Sequence, residues 1–449
     1  MRKVITYGTF DLFHEGHINL LKRAREYGDY LIVGVTTESY DDSRGKLNVQ
    51  ENLMKRIENV RKSGFADEII IEEYEGQKIE DIQNRQVDAF VIGSDWTGKF
   101  DYLNEYCEVV YLERTKGISS TDLRARQNGI IRLGVAGYGR IANRFIPESK
   151  YVSGINVEGV FGRDESAADS FIKTHELNFA ETNYAAFLNR VDAVYIATPH
   201  LTHVDYARKA LEEKKHVLCE KPIALTAKET KDLYNLAKKQ GCVFLEAIKT
   251  AYAPGFLRMI SIAKSGVIGQ VRNIDATFTK LVGGDVRELK KETGGGSITE
   301  LASYPLLAII KLLGEDYISI NHFSVMDENH GVDVFTKISM EYKNAIATAK
   351  VGLGVKSEGD LIVSGTKGYL YVPAPWWKTD YFETRFEDPS QNNKYYFRFD
   401  GEGLRYELAE FVRIIQNGKT ETYKLRMGDS VAISSVIEKL LAEQERKQA

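Results

Sequence analysis

No stretch of this chain holds the roughly 18 consecutive apolar residues that a membrane-crossing helix needs, so the sequence predicts no membrane insertion. A secretory signature is missing as well. Met1-Arg2-Lys3 runs straight into Val4-Ile5-Thr6-Tyr7 with no cleavage site of small residues, and reads as the first strand of a cytoplasmic protein. Cysteine is scarce: the three present, Cys107, Cys219 and Cys242, are odd in number, far apart and without metal-ligand spacing. That predicts neither a disulfide nor structural zinc and suits a reducing compartment. An excess of one charge is also lacking, since 60 Lys and Arg stand against 64 Asp and Glu for a net charge of −4. This excludes the basic field that nucleic acid or an anionic membrane surface would require, so any phosphate-bearing ligand must be held locally. There is no internal repeat and no low-complexity segment.

What the chain does have is length and alternation. Its 449 residues exceed one ordinary core and imply two or three domains. Short apolar runs alternate with helical patterns, the signature of parallel α/β architecture. Residues 3–7, 30–35, 68–72, 88–92 and 108–112 read as strands, with helical periodicity over 17–27 and 51–63, giving a five-stranded unit that ends near Arg126. After a pause at Gln127-Asn128-Gly129, the run from Ile130 to Ala136 opens a fresh strand that leads into a glycine-rich turn. Beyond about residue 250, longer alternating strands at 271–282, 317–325, 333–342 and 345–352 predict an open, mostly antiparallel sheet, and a helix around 430–446 closes the chain. The expected fold is α/β: a Rossmann-like domain over 1–128, a second Rossmann domain over 129–250, and an α+β domain over 251–449.

The segment Tyr7-Gly8-Thr9-Phe10-Asp11-Leu12-Phe13-His14-Glu15-Gly16-His17 stands where the first strand hands over to the first helix. Backbone amides and a helix N-terminus there face a common point, which makes an anion site. His14 and His17 flank Gly16, whose missing side chain lets the backbone approach a phosphate. The chemistry this suits is nucleotidyl transfer, in which one phosphate attacks the α-phosphorus of a nucleotide in line. The protein must position two anions and neutralise the charge developing on the leaving pyrophosphate. His14, His17, Lys46 and Arg114 supply donors for that task, and Mg²⁺ would bridge the phosphates without a metal site on the protein itself.

Two later signatures extend the pattern, Gly93-Ser94-Asp95-Trp96 and Arg114-Thr115-Lys116-Gly117-Ile118-Ser119-Ser120-Thr121. With them, residues 1 to about 126 resemble the glycerol-3-phosphate cytidylyltransferase family, whose own signatures read Gly-Asp-Asp-Trp and Arg-Thr-Glu-Gly-Ile-Ser-Thr-Thr. The resemblance implies that Gly8, Thr9, Phe10, His14, Gly16 and His17 contact CTP, and that Arg114, Thr115, Ser119 and Ser120 embrace its phosphates or base. It also implies that Lys46 contacts phosphate and that Asp11 places the acceptor. The stretch between Lys46 and Arg56 is one residue longer than the family pattern, so Arg44 could serve instead of Lys46. Trp96 either packs or lines the acceptor pocket.

Gly134-Val135-Ala136-Gly137-Tyr138-Gly139-Arg140-Ile141-Ala142 follows a strand and opens a helix, the context that a dinucleotide fingerprint demands. Gly162 stands where an acidic residue would bind the adenosine ribose diol, and Arg163 beside it could accept a 2′-phosphate, which favours NADP over NAD. Further on come Ala197-Thr198-Pro199 and Glu220-Lys221-Pro222. On these motifs, residues from about 130 onward resemble the glucose-fructose oxidoreductase and inositol dehydrogenase family, whose Glu-Lys-Pro signature commonly carries a cis proline. The implied cofactor contacts are Gly137, Tyr138, Gly139, Arg140, Ile141, Arg163, Thr198, Pro199, Glu220 and Lys221, with Lys221 as a catalytic candidate. Gly294-Gly295-Gly296 leads into Ser297–Pro305, where Glu300 replaces the family's usual Asp and Tyr304 follows one helical turn later on the same face. Tyr304 is the expected proton donor or acceptor, its pKa lowered by Lys221; otherwise it is one more packed aromatic among 25 tyrosines. His203 is expected to be structural, and Lys249 suggests an anionic substrate.

The reading that follows is a bifunctional enzyme. Cytidylyl transfer from CTP to glycerol 3-phosphate or a related alditol phosphate would be fused to an NAD(P)-dependent oxidoreductase acting on a sugar or triose carbonyl, before or after that transfer. The alternative is that the C-terminal lobe is a catalytically silent scaffold or sensor. Both resemblances imply a homodimer or larger homo-oligomer, and the first a role in wall or capsule polysaccharide synthesis.

Overall fold

The computed structural model describes residues 1–43, 49, 51–74, 76–113 and 129–448. The chain divides into two compact units, Met1–Ile130 and Ile131–Ala449. In the first, β1 (Lys3–Gly8), β2 (Tyr30–Thr36), β3 (Glu68–Glu72), β4 (Ala89–Gly93) and β5 (Glu108–Leu112) form one parallel sheet in the order β3-β2-β1-β4-β5. Helices cover both faces, so the central strands are apolar on both sides. Val4, Leu31 and Val33 turn to one face with Leu21, Ala24 and Val60 of the covering helices; Ile5, Ile32 and Phe90 turn to the other with Ile82. Each fully buried Val, Leu, Ile or Phe side chain contributes about 1.5–3 kcal/mol. Order reverses between β1 and β4, and the crevice at the carboxyl ends of these strands is where an open α/β sheet binds ligands.

The second unit repeats that logic. Strands β6 (Ile131–Ala136), β7 (Ile155–Phe161), β8 (Phe179–Glu181), β9 (Ala193–Ile196), β10 (His216–Glu220) and β11 (Phe244–Ala247) make a parallel sheet in the order β11-β10-β9-β6-β7-β8, with its reversal between β6 and β9.

The remainder forms an eight-stranded sheet in the order β13-β14-β15-β12-β16-β17-β18-β19, built from β12 (Val271–Thr279), β13 (Ser319–Asp327), β14 (Val332–Glu341), β15 (Ile346–Gly352), β16 (Leu361–Gly365), β17 (Gly368–Val372), β18 (Tyr381–Phe386) and β19 (Asn393–Tyr396). Only the β12–β15 pairing is parallel; all the others are antiparallel. The helix Ser303–Leu313 is buried along most of its length between this sheet and the closing helix Met427–Gln448. No single helix among the described residues is long and apolar enough to cross a membrane. The strands expected in the last third are present, but the sheet runs on through β16–β19, whose mixed polar and aromatic composition gave no clear period.

Candidate active sites

At the carboxyl end of β1, the loop from Gly8 to His14 is forced into a shape that non-glycine residues seldom adopt: Phe10 has φ of 52° and Leu12 of 47°. Left-handed residues of this kind cost on the order of 1–3 kcal/mol each and persist only where their surroundings fix them. Buried polar groups around the loop do the fixing. The Arg56 guanidinium, fully buried, donates to the carbonyls of Thr9 and Thr36 at 2.8 Å each and to that of Glu51 at 2.9 Å. Asp41 accepts from the hydroxyls of Thr9 at 2.9 Å and Thr36 at 2.6 Å. Asp11, also buried, accepts the Glu51 amide at 2.9 Å, while the Glu51 carboxylate accepts the Leu12 amide at 3.0 Å. Phe10 packs into the core, and its ring lies against Gly8, where a Cβ would come within 3.0 Å of it.

This clamped loop delivers His14 to the N-cap of the helix Glu15–Arg25. Nδ1 of His14 accepts the Gly16 amide at 3.0 Å, so a neutral ring carries its proton on Nε2. The His14 and His17 rings stack with centroids 3.9 Å apart, and Phe10 and Phe13 flank His17 at 5.4 and 5.6 Å. Two imidazoles and a helix N-terminus thus share the switch point of the sheet. Trp96, in the short turn after β4, packs 5.8 Å from Phe100 with the Lys99 ammonium 4.5 Å over its ring. Lys46, Arg114, Thr115, Ser119 and Ser120 lie outside the described residues.

In the second unit a cavity of about 800 Å³ opens at the β6–β9 switch point and runs toward the helix that carries Tyr304. Its dinucleotide end fits the expected cofactor. Gly137 has φ of +102°, and a Cβ there would meet the Ala197 carbonyl at 2.6 Å; Gly139 faces open space and caps the helix Arg140–Ser149 without a side-chain hydrogen bond, leaving its first amides for an anion. A Cβ on Gly162 would strike the Tyr138 ring at 1.9 Å, which bars an acidic side chain in this arrangement, while Arg163 lines the same cavity. Tyr138, Arg140, Ile141, Thr198 and Pro199 line it too.

Past the cofactor end stand Glu220, Lys221 and Tyr304. The Lys221–Pro222 peptide is cis. The Lys221 ammonium donates to the Glu300 carbonyl at 2.9 Å and lies 6.0 Å from the centroid of the Tyr304 ring. The expected lowering of the Tyr304 pKa is not what the site produces. Burial, with Glu220, Glu407, Glu402 and Glu300 nearby, pushes the phenol well above its ordinary value, because desolvation and neighbouring carboxyl groups disfavour the phenolate. Glu220 accepts the buried Tyr195 hydroxyl at 2.5 Å, and burial raises its carboxyl. The Glu300 carboxylate meets Arg287 at 2.9 Å and lies 3.6 Å from His200, whose pKa burial drives far down. His203 is a brace: its ring nitrogens lie 2.9 Å from the carbonyls of Pro222 and Thr198, tying the cis turn to the end of β9.

Arg56, Asp41, Glu51, Arg287 and His200 were not singled out from the sequence. Arg56 sits among Lys55, Arg61 and Lys62 on a helix whose other basic side chains are solvated, and nothing in spacing marks the one that points inward. A buried cation is recognisable only from what surrounds it.

These two sites define a fused enzyme, a nucleotidyltransferase of the cytidylyl type joined to an oxidoreductase of the nicotinamide-dependent type. The chain belongs to the cytidylyltransferase-like family over residues 5–126 and to the oxidoreductase family with an NAD-binding Rossmann fold over 131–247, followed by that family's C-terminal domain over 256–371. Over 124 residues it is 51% identical to the glycerol-3-phosphate cytidylyltransferase of Bacillus spizizenii, covering 28% of this chain and 95% of that protein. Over 324 residues it is 24% identical to the trans-1,2-dihydrobenzene-1,2-diol dehydrogenase of Danio rerio, covering 69% of this chain and 95% of that one. The fold of this part is also that of KijD10, a 3-ketoreductase from Actinomadura kijaniata solved with NADP and TDP-benzene, with a TM-score of 0.63 at 21% identity over 69% of this chain and 96% of that chain.

Proposed function

We propose that the first unit transfers the cytidylyl group of CTP to glycerol 3-phosphate or a closely related alditol phosphate, and that the second interconverts a sugar or triose carbonyl and its alcohol with NADP in preference to NAD. The observation that carries the first half is the stacked His14–His17 pair at a helix N-terminus, on a loop held by Arg56 and Asp41. An alditol phosphate oxygen attacks the α-phosphorus of CTP, the bond from that phosphorus to the bridging oxygen breaks, and pyrophosphate leaves. His14 and His17 donate hydrogen bonds to the phosphates as charge moves toward the leaving group, with Gly8, Thr9, Phe10, Asp11 and Gly16 shaping the nucleotide cradle. Lys46, Arg114, Thr115, Ser119 and Ser120 complete it by the family resemblance. Mg²⁺ is read as arriving on the CTP phosphates, as part of the substrate.

In the second unit Tyr304 gives a proton to the carbonyl oxygen and Lys221 orients that oxygen. The nicotinamide, when bound, supplies the hydride. Gly137, Gly139 and Arg140 receive the pyrophosphate, Thr198, Pro199 and Glu220 border the nicotinamide half, and Arg163 beside the occluded Gly162 favours a 2′-phosphate. The chain is read as a cytoplasmic homo-oligomer supplying a CDP-activated polyol for a surface glycan. Pyrophosphate release from CTP and Mg²⁺ over a panel of alditol phosphates tests the first half. Release with glycerol 3-phosphate is the expected result, and no release with any acceptor would overturn the reading.

A further inference from the structure

Three of the cations lining the second unit's cavity stand opposite two carboxylates. Arg287 faces Glu300, while Arg140 and Lys280 face the buried Glu288. One cluster breaks the pattern. Lys378 at 3.0 Å, Lys249 at 3.6 Å and Arg144 at 3.7 Å all converge on a single oxygen of Glu402, and Lys249 also donates to the Glu402 carbonyl at 2.6 Å. Gathering three cations about one partly exposed carboxylate is costly, although the buried carboxyl groups of Glu407 and Glu220 also act electrostatically on Lys249. The cost is visible at Lys249: its side chain is 11% exposed, and burial pushes its pKa down despite the facing carboxylate. Glu402, by contrast, is 36% exposed and stands between Gly401 at φ +58° and Gly403 at φ +81°, two close-packed positions where a Cβ would meet the Glu148 carboxylate at 1.9 Å and the Phe399 ring at 2.3 Å, so its side chain is the mobile part of the segment.

The cluster is continuous with the reacting centre. Phe278 stacks on Trp377 at 3.6 Å and touches Tyr304 at 4.9 Å, and Lys378 follows Trp377 in the chain. Both Lys221 and Lys249 act electrostatically on the buried carboxyl group of Glu220.

We propose that Lys249, Lys378 and Arg144 form the subsite for a phosphate group of the oxidoreductase's substrate, and that Glu402 holds the place of that phosphate until the substrate displaces it. The inference rests on the oxidoreductase reading above and gives its substrate a class: a short phosphorylated polyol or the corresponding carbonyl compound. The phosphate could be a free monoester or part of a nucleotide-linked diphosphate. Both present the same oxygens to the same cations.

The fluorescence of NADPH bound to the full chain reads this cavity and not the first unit. Titration with glycerol, glycerol 3-phosphate, CDP-glycerol and inorganic phosphate gives dead-end complexes, because none carries a reducible carbonyl. Glycerol 3-phosphate or CDP-glycerol should bind about tenfold or more tighter than glycerol, and whichever of the two responds identifies the source of the phosphate. Lys249→Met and Lys378→Met should each weaken that binding by about tenfold or more, whereas Glu402→Gln should tighten it several-fold, a gain that misfolding does not produce. Equal affinity for glycerol and its phosphorylated forms, or unchanged affinity in the lysine variants, overturns the subsite and leaves the oxidoreductase reading standing. Failure of NADPH itself to bind removes both.

Discussion

Lys221 and Tyr304 face one cavity from different layers of the second unit, the ammonium 6.0 Å from the phenol ring's centroid and tethered at 2.9 Å to the carbonyl of Glu300, one helical turn before the tyrosine. Burial holds the phenol protonated well past its ordinary value, which under the proposed function would make it the acid of the reaction. Carbonyl reduction should therefore run at a level rate from roughly pH 6 to 9, without an alkaline fall in that interval. Tyr304→Phe and Lys221→Met should each lower the rate of NADPH oxidation by about 10²–10⁴ while pyrophosphate release from CTP is unchanged. A scaffold that performs no chemistry would tolerate both substitutions.

His14 has two jobs in the structure, capping a helix and facing the anion site. His14→Ala should cost about 0.5–2 kcal/mol of local helix stability from the lost cap. It should lower pyrophosphate release by about 10² or more, since a donor aimed at developing charge is lost. Activity within a factor of about two of the parent would place the chemistry elsewhere.

Arg56→Met should destabilise the first unit by about 3–5 kcal/mol, because three carbonyls lose their donor and buried Asp41 loses its cation, 3.6 Å away. Hydrogen exchange of the β1 and β2 amides measures it. Protection equal to that of the parent chain would show that the loop does not depend on this clamp.

Glu246 is fully buried in β11, accepts the Ile223 amide at 3.2 Å, and burial raises its pKa from 4.5 to about 7. The folded state thus keeps a proton that the unfolded chain has already released. Stability of the second unit should accordingly fall as pH rises from about 4.5 to about 7 and then level off. Glu246→Gln keeps an oxygen for Ile223 and removes the titration, so it should stabilise the unit at pH 8 by on the order of 3 kcal/mol while changing little at pH 5. Urea midpoints at the two pH values decide the matter, and equal gains at both would rule this origin out.

Much of this was readable in advance, and the limits have physical causes. Parallel strands such as β1 and β2 are buried on both faces and announce themselves as continuous apolar runs, and the ends of β1 and β6 carry glycines where a Cβ would meet the Phe10 ring or the Ala197 carbonyl. Direction along the chain is thus well encoded. Long-range pairing is not: Glu402 reaches Lys249 across 153 residues, and His200 meets Glu300 across a hundred. The tyrosine's environment is hidden in the sequence for the same reason. Its neighbour Lys221 stands in a conspicuous motif, whereas Glu407, which helps to hold the phenol protonated, lies within the helix Leu404–Gln416 and looks in sequence like any solvated acid.

Arg163→Ala should raise the KM for NADPH by about tenfold or more and leave that for NADH nearly unchanged, since only the former has a 2′-phosphate to lose. Steady-state kinetics with either cofactor would show it, and equal effects on both would remove Arg163 from the 2′-phosphate.

The Tyr138 ring pressed over Gly162 has an evolutionary consequence. An acidic residue introduced at position 162 would bring its Cβ to 1.9 Å from the ring, so a substitution at Gly162 is expected to be accepted only together with a displaced or replaced Tyr138.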